Sequence, residues 1–225
     1  MKDNNEFTNN TIHVLINYVF LFFSLSTCFI LFNLPIALVL FVPLNIFTFF
    51  IYLFAFATFG PALGAVLACM IHVIEKKEQI DPFRQFFIYY KKNFKSTIKL
   101  WIPFCIIMTT LLSLVLTGGL QWLLLTVFFI LIITTATIIN VKFDFKVVDI
   151  IKLGFYFTIK RWGISLANTS VFAVSLLLLP LGGFIALFFH SIVFYIIVKI
   201  SMPIIAEITE SFLKKPQGRC GEQKP

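Results

Sequence analysis

The acidic side chains of this chain stand outside its apolar segments, which limits the chemistry that those segments can carry out. All ten Asp and Glu residues lie in polar tails, in loops or near the ends of apolar segments. Carriers coupled to protons or sodium usually hold a carboxylate within the membrane. The sequence also contains no GxSxG, HExxH or P-loop motif. We therefore expect a protein that is not an enzyme, with no catalytic residue, no metal site and no cofactor.

Three side chains near one end of the apolar segments could line a polar cavity. Gln121 and Trp122 stand at the start of one segment, and His190 stands within the last. Their amide, indole and imidazole groups can form hydrogen bonds to a neutral solute such as a sugar. A second interpretation remains open, because polar groups in a bundle often only link helices, at about 1 kcal/mol or less each. Trp122 could equally be an interfacial anchor.

The composition of the chain is that of an integral membrane protein. Hydrophobic residues make up 60% of the 225 residues and charged residues only 12%, whereas soluble domains carry about 25% charged residues. The 18 Lys and Arg residues fall almost wholly in three short blocks between apolar segments. This alternation is typical of cytoplasmic loops under the positive-inside rule. The net charge of +8 therefore indicates topology and not a nucleic-acid partner.

The sequence predicts an all-α, polytopic transmembrane helical bundle of about six spans in the cell membrane. A polar tail at 1–11 precedes a single transmembrane domain at 12–205, and a cytoplasmic tail follows at 206–225. The loops at 75–99 and 142–161 carry most of the basic residues, so we place these loops and both termini in the cytoplasm. The predicted spans are residues 12–42, 46–74, 100–116, 120–140, 163–180 and 184–205. We expect the first span to be kinked at Asn33 to Pro35, because of its proline, and we expect outer turns near 43–45 and 180–183.

The second predicted span contains a helix breaker. We expect Gly60, Pro61 and Ala62 to interrupt it, because proline removes a backbone donor and clashes with the preceding turn. The alternative makes residues 61–74 a separate short or re-entrant segment. Irregular backbone is tolerated at membrane depth only where protein or water covers it. The break should therefore face the bundle interior, where discontinuous helices often form substrate sites.

A basic, aromatic helix is expected at residues 82–96, before the third span. Asp81 is a typical N-cap, and Pro82 is tolerated in a first turn. The helix has an aromatic stripe and a cationic flank, so we predict that it lies at the membrane interface against anionic lipid. The alternative is that the stripe packs on the protein's own helices. The residues that we single out are Phe83, Arg84, Lys91, Lys92, Asn93, Phe94 and Lys95.

The end of this helix has a counterpart later in the chain. The sequence TIKLW at 97–101 matches TIKRW at 158–162, where a second surface helix is expected to end. Each match precedes a span, a Gly-Gly turn and another span, which suggests a parallel repeat. We expect Trp101 and Trp162 to anchor their spans at the membrane interface.

Residues 60–101 also resemble one known family. The chain is similar to the YesL family of bacterial integral membrane proteins over about residues 50–110. The resemblance implies five or six spans. It also implies a role in carbohydrate uptake, because genes of the family often lie beside those of sugar ABC transporters and glycoside hydrolases. The residues that carry it are Gly60-Pro61-Ala62, Glu75-Lys76-Lys77, Phe83, Phe86, Phe87, Lys92-Asn93-Phe94-Lys95 and Trp101.

Two functions are consistent with these patterns. The first is an accessory component associated with carbohydrate uptake, which docks on another membrane complex such as a sugar ABC transporter. The basic helix at 82–96 and the family context favour it. The alternative is a stand-alone transporter or permease-like protein for a small neutral solute, favoured by the expected break at Gly60 and Pro61. The expected partners are the lipid bilayer, anionic lipid and transporter components, with no nucleic acid.

Overall fold

The computed structural model describes residues 3–39, 46–76, 80–119, 121–178 and 183–213. Within these residues the regular structure is entirely helical, as the sequence predicted. A short π-helical turn ends the described chain. The α-helices are α1 (Asp3–Phe32), α2 (Leu34–Val39), α3 (Ile46–Lys76), α4 (Pro82–Gly118), α5 (Gln121–Lys142), α6 (Val147–Lys160), α7 (Trp162–Leu178) and α8 (Gly183–Ile208).

Five segments of these helices are long and apolar enough to cross a membrane. A sixth, shorter apolar helix, α7, has 17 residues and is about 25 Å long, close to the lower limit for a span. The chain is therefore a membrane protein with several apolar helices, and a sixth crossing stays a prediction. The five segments, found among the described residues, are Val14–Phe32, Ala57–Lys76, Pro82–Leu111, Gln121–Lys142 and Phe189–Phe212.

The first helix differs from its prediction at its start and agrees at its end. It begins at Asp3 and not at residue 12, so the described part of the polar tail is helical. Acidic residues at a helix N-terminus favour this, because they complement the helix dipole. The interruption expected near Asn33 is present: α1 ends at Phe32, and the Asn33 side chain donates to the carbonyl of Phe29 at 2.7 Å. The turns expected near 43–45 and 180–183 fall largely on residues outside those described, as does the tail from 214.

Residues 82–118 form one helix, α4, where a surface helix and a separate span were predicted. Its start is as expected, since Asp81 Oδ1 accepts the backbone N–H of Arg84 at 3.3 Å. The predicted start of a span at residue 100 is not the start of a separate helix, because α4 continues through this position. Leu100 is fully buried inside the continuous helix, and no Gly or Pro stands between residues 83 and 102 to end it.

Helix α4 is longer than the apolar core of a bilayer is thick. Its 37 residues extend about 55 Å, whereas the apolar core of a bilayer is about 30 Å thick. The basic residues 82–96, here called the α4 extension, therefore continue a spanning helix along its own axis.

The break predicted at Gly60-Pro61 is absent. Helix α3 runs without interruption from Ile46 to Lys76, with Pro61 inside it. The segment from Gly60 to Met70 is buried at every position, so tertiary packing on all sides holds a turn that has lost one backbone hydrogen bond. This segment is the centre of the bundle, because α3 packs on α1, α4, α5 and α8.

Helix α6 is the second amphipathic helix that the sequence predicted, and it packs on α5 through a glycine. Gly154 is buried, and a Cβ built on it would lie 2.9 Å from Ala136 Cβ and 3.3 Å from Ala136 Cα. Real Cβ atoms essentially never approach closer than 3.0 Å. The two backbones are therefore as close as glycine allows, which is how small residues pack helices in membranes.

Gly154→Ala should destabilise the protein, whereas Gly163→Ala should not. The new methyl group at 154 must push α6 from α5, at a typical overpacking cost of about 1–3 kcal/mol. A Cβ on Gly163 in α7 meets nothing within 4 Å, and alanine there gains up to about 1 kcal/mol of helix propensity. The measurement is the thermal unfolding midpoint of each variant in detergent. Equal midpoints for the two variants would contradict the close α5–α6 contact.

Candidate functional site

Helices α3 and α4 approach each other closely where Gly60 meets the indole of Trp101. A Cβ on Gly60 would lie 2.4 Å from Trp101 Cγ and 2.5 Å from its Cδ1. The indole also meets the ring of Phe59, with centroids 5.5 Å apart and an edge-to-face angle of 61°. Gly60 is therefore required for close packing and not for a break. Trp101, expected as an interfacial anchor, packs into the helix interface.

Polar contacts continue this interface toward the start of α4. Asn140 Nδ2 in α5 donates to Thr97 Oγ1 at 3.0 Å, and Gly64 in α3 faces the same threonine. Farther on, His72 Nδ1 and the Tyr89 hydroxyl are 2.6 Å apart. These bonds fix the register of α3, α4 and α5 with respect to one another.

The three residues predicted to line a polar cavity are not brought together by any described contact. His190 is buried in α8 and packs near the ring of Phe29, at 6.0 Å between centroids. Gln121 is exposed and donates to the Gly118 carbonyl at 3.4 Å, and Trp122 is half-buried against Gly118. His190 therefore belongs to the α1–α8 interface, and the other two close the α4–α5 turn.

The α4 extension has a buried side and an exposed side. Phe86 is fully buried, and its ring and that of Tyr90 pack on Phe32 of α1 at 5.2 Å and 4.6 Å. Asn93 is buried on this same side. Part of the aromatic stripe thus packs on the protein's own helices, which was the alternative to an interfacial position.

The exposed side of the α4 extension, here called the outer face, combines rings and cations. Phe83 is 42% exposed and Phe87 is 46% exposed, and Phe94 lies on the same side. Arg84 and Lys91 are exposed beside these rings. The α5 helix ends at Lys142, shortly after the Asn140–Thr97 bond, so the outer face lies beyond the last turn of α5.

Two other groups of cations are neutralised by glutamates. Lys142 Nζ donates to Glu75 at 2.6 Å and joins the ends of α5 and α3. Lys160 and Arg161 both bind Glu207 of α8, with Arg161 Nη2 at 3.0 Å. Hydrogen bonds to Glu207 and to Tyr156 raise the pKa of Lys160. Trp162, the other predicted anchor, is 70% exposed next to this group.

A further group of cations surrounds an open cleft of about 470 Å³ between α4 and the loop that joins α5 to α6. Lys92, Lys95 and Lys99 follow one another along α4 at helical spacing, and Lys146 faces them from the loop. Asp144 is the acidic residue that lines this cleft. We call it the basic cleft.

One family of known proteins is similar to the first half of this chain. Residues 13–113 match the family model described as a protein of unknown function, DUF624. This is the domain family found in YesL-type proteins. The matched segment runs from α1 through most of α4, so it contains the Gly60–Trp101 contact and the outer face. No curated protein and no solved structure matches the chain.

Two lysines of the basic cleft are not among the residues singled out from the sequence. Lys99 follows Lys92 and Lys95 at positions i+7 and i+4, and this helical spacing could have identified it. Lys146 gave no such signal, because a loop residue has no periodicity to place it. Among the described residues, no group of three or more His, Cys, Asp or Glu side chains could hold a metal ion.

Gly60→Ala and Trp101→Leu should be strongly coupled. The methyl group introduced at position 60 clashes with the indole, so the single substitution should cost about 1–3 kcal/mol by overpacking. In a Trp101→Leu background the clash is relieved, and the same glycine change should cost much less. Thermal unfolding of the four proteins in detergent gives the coupling. Additive effects would contradict the contact.

Proposed function

We propose that this chain is an accessory membrane protein that docks on a membrane transport complex through the outer face of α4. The observation that carries the proposal is the outer face itself. It presents partly exposed aromatic rings beside exposed cations on a helix that extends beyond its neighbour α5. Aromatic and arginine side chains are the residues most enriched in the energetic centres of protein interfaces.

The rigidity of the α4 extension supports docking. Its buried side is held by Phe32 of α1 and by the contact between His72 and Tyr89. A face supported in this way loses little conformational freedom on binding, and preorganisation increases affinity by reducing that cost. Arg84 and Lys91 form no ion pair with any described carboxylate, so both remain available to a partner.

The packing around Pro61 also favours docking over transport. The segment that was expected to open a substrate site is a continuous helix, and the indole of Trp101 fills the space beside Gly60. The residues from 60 to 70 are all buried. A substrate path along this segment would require α3 and α4 to separate.

The family context suggests which complex is bound. The match of residues 13–113 agrees with the resemblance to YesL-type proteins, which implies a link to carbohydrate uptake. We therefore propose a sugar ABC transporter as the docking partner, in the cell membrane. By the positive-inside rule we expect the outer face, both loops and both termini in the cytoplasm, where a transporter presents its ATPase subunits.

A stand-alone carrier for a small neutral solute is the second candidate. It is favoured by two buried amide oxygens, Asn140 Oδ1 and Asn168 Oδ1, which have no hydrogen-bond partner among the described residues. Their amide nitrogens bind Thr97 and Ser201. Buried acceptors without partners are unfavourable in a membrane, and a solute hydroxyl would satisfy them. Uptake of oligosaccharide into proteoliposomes that contain only this protein would favour this candidate.

Charge reversal on the outer face should release the partner. The variant Arg84→Glu, Phe87→Ala, Lys91→Glu should abolish co-purification of transporter subunits with the tagged chain in mild detergent. Loss of a central interface residue typically costs about 2 kcal/mol or more, so recovery should fall at least about tenfold.

The matched control reverses two exposed lysines elsewhere. Lys76→Glu with Lys152→Glu changes the net charge by the same amount, but neither residue lies on the outer face. The control should retain the partner. Equal loss in both variants would attribute the effect to topology, and recovery of the wild-type chain alone would contradict the proposed docking.

A further inference from the structure

The basic cleft brings four ammonium groups to one concave surface. Lys92, Lys95 and Lys99 line it from α4, and Lys146 lines it from the loop before α6. Asp144 contributes one carboxylate, so the formal charge of the lining is +3, that is four minus one. Like charges that converge repel one another, and the repulsion is relieved when an anion binds among them.

These four lysines differ from three other cations near the helix ends. Lys142, Lys160 and Arg161 are each paired with a glutamate. In the part of the chain that the structure describes, none of the four cleft lysines forms an ion pair, and Asp144 forms none either. The available glutamates neutralise cations outside the cleft and leave the cleft positive.

The start of α6 adds donors to the same cleft. Lys146 is the N-cap residue of this 14-residue helix and makes no side-chain cap hydrogen bond, and Val147 at the first helical position lines the cleft. In this first turn the Asp149 N–H already donates to the Lys146 carbonyl at 2.9 Å, and the acidic Asp149 lies near the positive end of the helix dipole. The N–H groups of the first two helical residues are the donors that remain. Anions, phosphate above all, bind where such donors and basic side chains meet.

The positive-inside rule does not account for this arrangement. That rule requires only that basic residues be frequent in cytoplasmic loops, and scattered lysines satisfy it with less repulsion. Here residues from two distant parts of the chain, 92–99 and 144–147, line one open cleft of about 470 Å³. This is within the usual range for small-molecule sites, about 300–1,000 Å³.

We propose that the basic cleft binds a phosphate group. The chemistry required is a compact anion with several acceptor oxygens, which lysine ammonium groups and helix N–H donors bind together. Two sources can supply it: the headgroup of an anionic phospholipid and a soluble phosphate. The proposal does not depend on the docking function, because the cleft and the outer face use different residues.

The test measures both sources on the full chain purified in mild detergent. Calorimetric titration with inorganic phosphate reports the soluble source. Native mass spectrometry with added phosphatidylglycerol, compared with phosphatidylcholine, reports the lipid source. We expect saturable binding in one arm, with selectivity for the anionic lipid if it is the second.

Two variants locate the site. Lys92→Gln, Lys95→Gln, Lys99→Gln removes three charges from the cleft and should weaken binding about tenfold or more. The control Lys76→Gln, Lys152→Gln removes two exposed charges outside the cleft and should change binding less than about twofold, as screened surface charges do. Lys146→Gln alone, in a loop, should weaken binding if the triple variant does not fold.

The results of these measurements distinguish a soluble phosphate from a lipid headgroup. Phosphate binding that is lost in the cleft variants assigns a soluble ligand, and selective phosphatidylglycerol binding that is lost in them assigns a lipid. The proposal is overturned by no binding in either arm. It is equally overturned if the cleft variants and the control weaken binding to the same extent.

Discussion

The contact between Gly60 and Trp101 is the constraint on which the rest of the bundle depends. An indole placed against a glycine lets α3 and α4 approach more closely than any Cβ would permit. With that distance fixed, Thr97 can meet Asn140 of α5 and Tyr89 can meet His72 of α3. The register of α4 on α3 then determines which side of the α4 extension is buried and which side is exposed.

Local signals in the sequence predicted the features that depend on neighbouring residues. The N-cap at Asp81, the interruption at Asn33 and the glycine turn that ends α4, where Gly119 has φ 94°, follow from backbone preferences. The predictions of a helix break at Pro61 and of an interfacial anchor at Trp101 rest on the average behaviour of these residue types, and the packing around each residue differs from that average. A fully packed helix tolerates a missing hydrogen bond, and a tryptophan beside a glycine packs inward.

The matching sequences TIKLW and TIKRW have different local structures. Thr97 and Thr158 are both buried against α5, where they meet Asn140 and Thr135. The first three residues of the two sequences are identical and the fourth differs. Leu100 is buried in an unbroken helix, whereas Arg161 stands at the junction of α6 and α7 and binds Glu207. The two tryptophans consequently have opposite environments, which no property of the repeated letters could have distinguished.

The central claim is that the outer face of α4 binds another membrane protein. Phe87 is 46% exposed and Phe86, its neighbour in the sequence, is fully buried, so the two positions form a matched pair for a photo-crosslinking amino acid introduced in cells. If the outer face binds a transporter, we expect an adduct with a transporter subunit from position 87 and none from position 86. The absence of an adduct from position 87, or equal adducts from both positions, would contradict it.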